Sequence, residues 1–166
     1  MQESRPTYAV DANILIDLHV GGLLRLLFRL PYRFVTPDIV VAELEEPDGE
    51  TVVGLGLGKE TLSGEQVLEI AELRGRYRGV SANDVAALLL ARDCGITLLT
   101  GDGHLRVAAG QEGVQVHGTL WVMDEMLRLS LIERDAAAAS LEKMLRYGRR
   151  LPIEECRRRL KRWKRD

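Results

Sequence analysis

The chain has 166 residues, 46% of them hydrophobic and 29% charged, with a formal net charge of -2, the profile of one soluble domain with a real core and no room for a second full one. Its two cysteines, Cys94 and Cys156, occur without a CxxC or a matching histidine pair, which argues against a disulfide framework and a zinc site. No stretch approaches the roughly 18 apolar residues of a membrane span, and the start lacks the basic-then-apolar order of a signal peptide, so a cytoplasmic protein is expected, with no membrane partner.

Short apolar runs alternate with longer stretches of helical period, the pattern of parallel strands joined by crossover helices. The first strand is expected over residues 7–10, followed by a short helix over 13–19 that ends at Gly21 and Gly22, and a second over 23–30 that stops at Pro31. Strand two falls at 33–35. Thr36 then reads as an N-cap and Pro37 as the first residue of a helix running through Glu46. Four glycines between 47 and 58 predict a loop or edge strand there rather than a helix. The run GLGLGKE in that stretch lacks the spacing of a phosphate-binding loop. Ser63 with Gln66 is a capping box opening a helix to about Arg76, and Gly79 closes that segment. Ser81 opens the helix ANDVAALLLARDC, whose alanines and leucines predict deep burial and whose end is marked by Gly95. A buried strand at 96–100, a short helix near 104–109, a further strand at 114–116 and a long apolar helix over 119–132 follow. Beyond Glu133 the chain reads as helical, and Pro152 sets off a final basic helix.

Charge is uneven along this order. Residues 149–166 hold nine Lys/Arg against three Asp/Glu, a +6 tail behind a body at -8, which fits either nucleic-acid contact or a basic helix facing water. Ile153, Cys156, Leu160 and Trp163 line one face of that last helix, and the cover for this stripe is expected first from the chain's own body, then from a second copy or a protein partner, then from RNA on the arginine face.

Asp11 and Asp102 each follow an apolar run, just past the expected carboxyl ends of two strands, the edge at which open α/β sheets bind ligands. Glu43 follows Ile39 and Val40 at helical spacing and is expected to turn inward, while Asp84 lies in the first turn of its helix. Each has a plainer role available. Asp84 completes a capping box with Ser81, Asp102 in TGDG suits a turn, Asp11 suits a helix cap and Glu43 suits a surface ion pair. The four together point further, because ionised carboxylates about 4 Å apart repel by roughly 4 kcal/mol at an effective dielectric near 20, a penalty that a divalent cation removes. An all-oxygen donor set suits magnesium or manganese better than zinc. Asp17, Asp38 and Glu45 are further acids near the expected centre, and His19, His104 and His117 are too scattered for a histidine site.

The motifs VDAN, VAEL, SANDVAALLLA and LLTGDGHL resemble, in order and setting, those of PIN-domain ribonucleases, in particular VapC-type toxins. The resemblance spans Tyr8 to about Ile132. It implies a three-layer fold with a central, mostly parallel sheet flanked by helices, here a domain over 1–132 with a helical extension over 133–166 carrying the basic tail. It implies that Asp11, Glu43, Asp84 and Asp102 are the catalytic, metal-binding acids for Mg2+ or Mn2+, with Asn13, Ser81 and Thr100 as supporting polar residues and Arg106 as a candidate for RNA binding. It also implies cleavage of RNA by water activated at the metal, an antitoxin protein as partner and a homodimer. A scaffold of the same fold that binds RNA or protein without cutting it remains the alternative.

Overall fold

The computed structural model describes residues 4–165. Five parallel strands form one sheet in the order β3-β2-β1-β4-β5, where β1 is Thr7–Val10, β2 Arg33–Pro37, β3 Gly58–Glu60, β4 Thr97–Leu99 and β5 Val116–His117. Register places Ala9 beside both Val35 and Leu98, and Tyr8 beside Phe34. Because successive strand side chains point to opposite faces, Val10, Phe34 and Leu99 enter one core while Ala9, Val35 and Leu98 enter the other. Both faces are thus covered, as an all-parallel sheet requires.

The first core is closed by α1 (Ala12–Val20), α2 (Leu24–Leu27), α8 (Thr119–Arg128), α9 (Arg134–Arg146) and α10 (Ile153–Trp163), and the second by α5 (Gly64–Arg76), α6 (Ala82–Cys94) and α7 (Gly103–Gln111). On α6, every residue from Val85 to Ala91 is buried, and Gly95 ends the helix in the left-handed conformation that glycine adopts without a Cβ clash. Ser63 and Ser81 both form the capping boxes that their spacing predicts. Both cysteines are free, and no helix among the described residues is long and apolar enough to cross a membrane.

The apolar stripe of α10 is covered by the chain itself, since Cys156 and Trp163 join the first core beside Leu141 and Met144 of α9, although Ile153 stays 52% exposed. The arginines of the outer face are held in part by Asp124 of α8, which accepts from Arg159 Nη2 at 2.7 Å.

Three expectations are corrected. Residues 49–55 form a helix, α4 (Gly49–Leu55), rather than a loop, with Asp48 as N-cap accepting from Thr51 N at 3.0 Å. Gly49 is there for close approach, because a Cβ at that position would lie 2.0 Å from the Val41 carbonyl oxygen. Thr36 does not cap the third helix: its hydroxyl donates to the Val10 carbonyl at 2.7 Å inside the sheet, and α3 (Asp38–Glu43) starts after Pro37. That helix also ends at Glu43, not Glu46, since Leu44 turns extended and is drawn into the core.

Candidate active site

Strand order reverses between β1 and β4, because the chain adds β2 and β3 on one side of β1 and then returns to its other side. Outside the carboxyl ends at such a reversal the connections diverge and leave a crevice. Asp11 follows β1 at that point, and Thr100 and Asp102 follow β4. Helices α1 and α7 begin there too, and α6, which leads into β4, must begin at the same edge to end at the opposite one. Several positive helix ends therefore meet where the carboxylates lie.

Asp11 is the centre of the hydrogen-bonded group. It is 2% exposed, accepts from Ile14 N at 3.0 Å as the N-cap of α1, and accepts from the Thr100 hydroxyl on its other oxygen. Its own N-H donates to Leu99 O at 3.1 Å, stitching β1 to β4. Thr100 Oγ1 in turn accepts from Asp102 N at 3.1 Å, and Asp102 caps α7 by accepting from Leu105 N at 2.8 Å. Burial pushes the Asp11 carboxyl from 3.8 up to about 7. The bonds from Thr100 and Ile14 oppose that rise, and the charges of Asp84 and Asp17 add to it. Asp84 is therefore within electrostatic reach of Asp11 while capping α6, where its Oδ2 accepts from Ser81 N at 2.9 Å.

Glu43 stands differently from the inward position expected of it. It is exposed at the end of α3, where Asn83 Nδ2 donates to it, and it lines a cleft with Ala12, Ile16 and Asn83. Asn13, Asp17 and Asp102 line a second cleft together with His104 and Arg149. The plainer roles of Asp11 as a helix cap and of Asp84 in a capping box are realised, while Asp102, read as a turn former, instead caps α7. Among the described residues no three His, Cys, Asp or Glu side chains form a coordinating group.

Asp17 plays a larger part than its sequence position suggests. Buried at 2% exposure, it accepts from Thr119 Oγ1 at 2.7 Å and from Arg149 Nε at 2.6 Å. Its place beside Ile14 and Leu18 on the buried side of α1 is a readable signal for an acid that needs a partner, but nothing near it in sequence identifies that partner.

The supporting residues yield a first test. Ser81→Ala removes the acceptor for Asp84 N, at 3.1 Å, and is expected to lower stability by about 1 kcal/mol in urea unfolding. An unchanged midpoint would show that the capping box contributes nothing.

Acidic side chains at the carboxyl-edge reversal of a fully parallel, two-faced sheet define a doubly wound α/β protein with a ligand crevice. A family model described as PIN domain matches residues 7–165, and the chain belongs to that family, whose members are generally nucleases that typically use divalent metal ions. A PilT N-terminus domain protein from the hyperthermophilic archaeon Sulfolobus solfataricus shares the fold with a TM-score of 0.51 at 15% identity, covering 69% of this chain and 89% of that one. A protein from Pyrobaculum aerophilum aligns with a TM-score of 0.49 at 14% identity over 76% of this chain and 98% of that one. A search of curated proteins finds no match.

Proposed function

We propose that the chain is a metal-dependent endoribonuclease whose site is built on Asp11, Asp84 and Asp102, with Glu43 on the neighbouring cleft. The observation that carries this reading is the Asp11 carboxyl, buried at the strand reversal, raised to about 7 and hydrogen-bonded only by neutral donors. A carboxylate so placed has no cationic side chain paired with it among the described residues, and a hard cation suits the all-oxygen surroundings. The residues therefore fit Mg2+ or Mn2+ in chemical type, and Asp11, Asp84, Asp102 and Glu43 are those that would hold it. Bound there, the cation would supply Lewis acidity toward water and phosphate oxygens. The chain's own contribution is to hold Asp11 in one orientation through Thr100 and Ile14, and to keep the Asp102 backbone against Thr100.

Motif resemblance supports the finer reading of a VapC-type toxin acting in the cytoplasm, with an antitoxin or a second copy as protein partner. Val67 and Leu68 on α5, 54% and 79% exposed, are an apolar surface open to such a contact. A second reading, a scaffold that binds RNA without cutting it, is favoured by one observation, the missing coordinating group among the described residues.

A labelled single-stranded RNA incubated with the protein in Mn2+, in Mg2+ and in EDTA separates the two. The nuclease reading expects cleavage with either metal and none in EDTA. Intact RNA under all three conditions would reject it in favour of the scaffold.

A further inference from the structure

An acidic crevice repels the phosphates of the substrate proposed above, so cationic groups must stand beside it. Most of this protein's arginines near carboxylates are already engaged: Arg92 binds Glu69 and Glu112, Arg128 binds Glu125, Arg149 binds Asp17, and Arg159 binds Asp124. Arg150 and Arg106 form no ion pair among the described residues. Arg150 is exposed and lines the cleft of about 740 Å3 that holds Asn13 and Asp102, a volume within the roughly 300–1,000 Å3 of small-ligand sites. It also lines the adjoining cleft, together with Arg106, His117 and Trp121, so it stands where the two meet.

The placement follows from the turn after α9. Gly148 takes the left-handed conformation, with φ +82°, and Arg149 N returns to Met144 O at 3.0 Å. Arg149 is then directed to buried Asp17, which anchors the turn, and the next residue is left facing the clefts. Arg106 rests its guanidinium against the Thr100 carbonyl at 3.4 Å, and Gly118 leaves the space for it, since a Cβ there would come within 3.2 Å of Nη2. His117, stacked on Trp121 at 4.3 Å with an interplanar angle of 6°, gives the same cleft an aromatic wall beside the cations.

We infer that Arg150, with Arg106, forms a phosphate-binding subsite that seats single-stranded RNA across the junction of these clefts, next to Asp102. The inference rests on the nuclease reading for its substrate but not for its measurement. Cations take the backbone phosphates, and an unpaired strand leaves its bases free to reach the His117 wall.

The test is fluorescence anisotropy with a fluorescein-labelled, mixed-sequence oligoribonucleotide in EDTA, alongside cleavage of the same RNA in Mn2+. Arg150→Gln and Arg106→Gln are each expected to weaken binding on the order of three- to tenfold and to reduce the salt dependence by about 0.7 in log-log slope, the share of one single-strand phosphate contact. Arg150→Lys should recover most of the affinity, and the exposed Arg158→Gln on α10 should leave it unchanged. Wild-type affinity in Arg150→Gln, an equal loss in Arg158→Gln, or no binding by the wild type would each overturn the subsite. The two readings fail separately. Cleavage that ignores Arg150 removes the subsite alone, whereas Arg150-dependent binding with no cleavage in either metal removes the nuclease alone.

Discussion

Asp11→Asn is expected to reduce Mn2+-dependent RNA cleavage to the level of the EDTA control while making the protein more stable than wild type at pH 8. The two effects have one cause. Asparagine keeps an oxygen to accept from Ile14 N but cannot carry the negative charge that would hold a cation. Stability follows from linkage. The folded-state carboxyl is raised from 3.8 to about 7, so between those values the folded protein retains a proton that the unfolded chain has lost. Stability therefore falls as pH rises from about 4 to about 7 and is flat beyond, by about 4 kcal/mol at roughly 1.4 kcal/mol per tenfold change in proton affinity. The asparagine variant lacks that decline. Part of its advantage is lost because the Thr100 hydroxyl no longer donates to a carboxylate, a cost of about 1 kcal/mol. Urea unfolding in EDTA at pH 4, 6 and 8 should show the two curves separating, and Mn2+ at pH 8 should stabilise the wild type only. Parallel curves would mean that the buried carboxyl carries no such penalty, and the argument for a cation would go with it.

What could be read from the sequence divides by the range of the interaction concerned. The capping boxes at Ser63 and Ser81 and the terminating Gly95 are settled within four residues, and they form where expected. The short apolar runs of β1, β2 and β4 and the acids past β1 and β4 were likewise legible, because an apolar run ending in Asp marks a strand edge whatever the rest of the chain does. Thr36 was misread because its partner, the Val10 carbonyl, lies 26 residues away, and in the sheet that bond wins over a local cap. Helix α4 was hidden behind its glycines, of which Gly49 admits the Val41 carbonyl and Gly56 ends the helix at positive φ, and the real start signal was Asp48. Glu43 has helical spacing for an inward position, but α3 stops beneath it. The partner of Asp17 is 132 residues distant, beyond any pattern of spacing. The position of Arg150 depends on that same distant pair, so nothing in the sequence marks it.

That pair supplies the second large effect. Arg149→Met is expected to destabilise the protein by roughly 3 kcal/mol, because it strands the Asp17 carboxylate in the interior with only the Thr119 hydroxyl to satisfy it. A fully buried pair would lose roughly 3–5 kcal/mol, and the lower end applies because the Arg149 side chain is 25% exposed and water can partly replace it. The double variant Asp17→Asn with Arg149→Met separates lost charge compensation from lost packing. Asparagine still accepts from Thr119 and carries no charge, so the double variant should be more stable than Arg149→Met alone. Equal unfolding midpoints for the single and double variants would show that Arg149 contributes through its aliphatic packing, and that the turn holding Arg150 is set by Gly148 and the α9 carbonyls instead of by the ion pair.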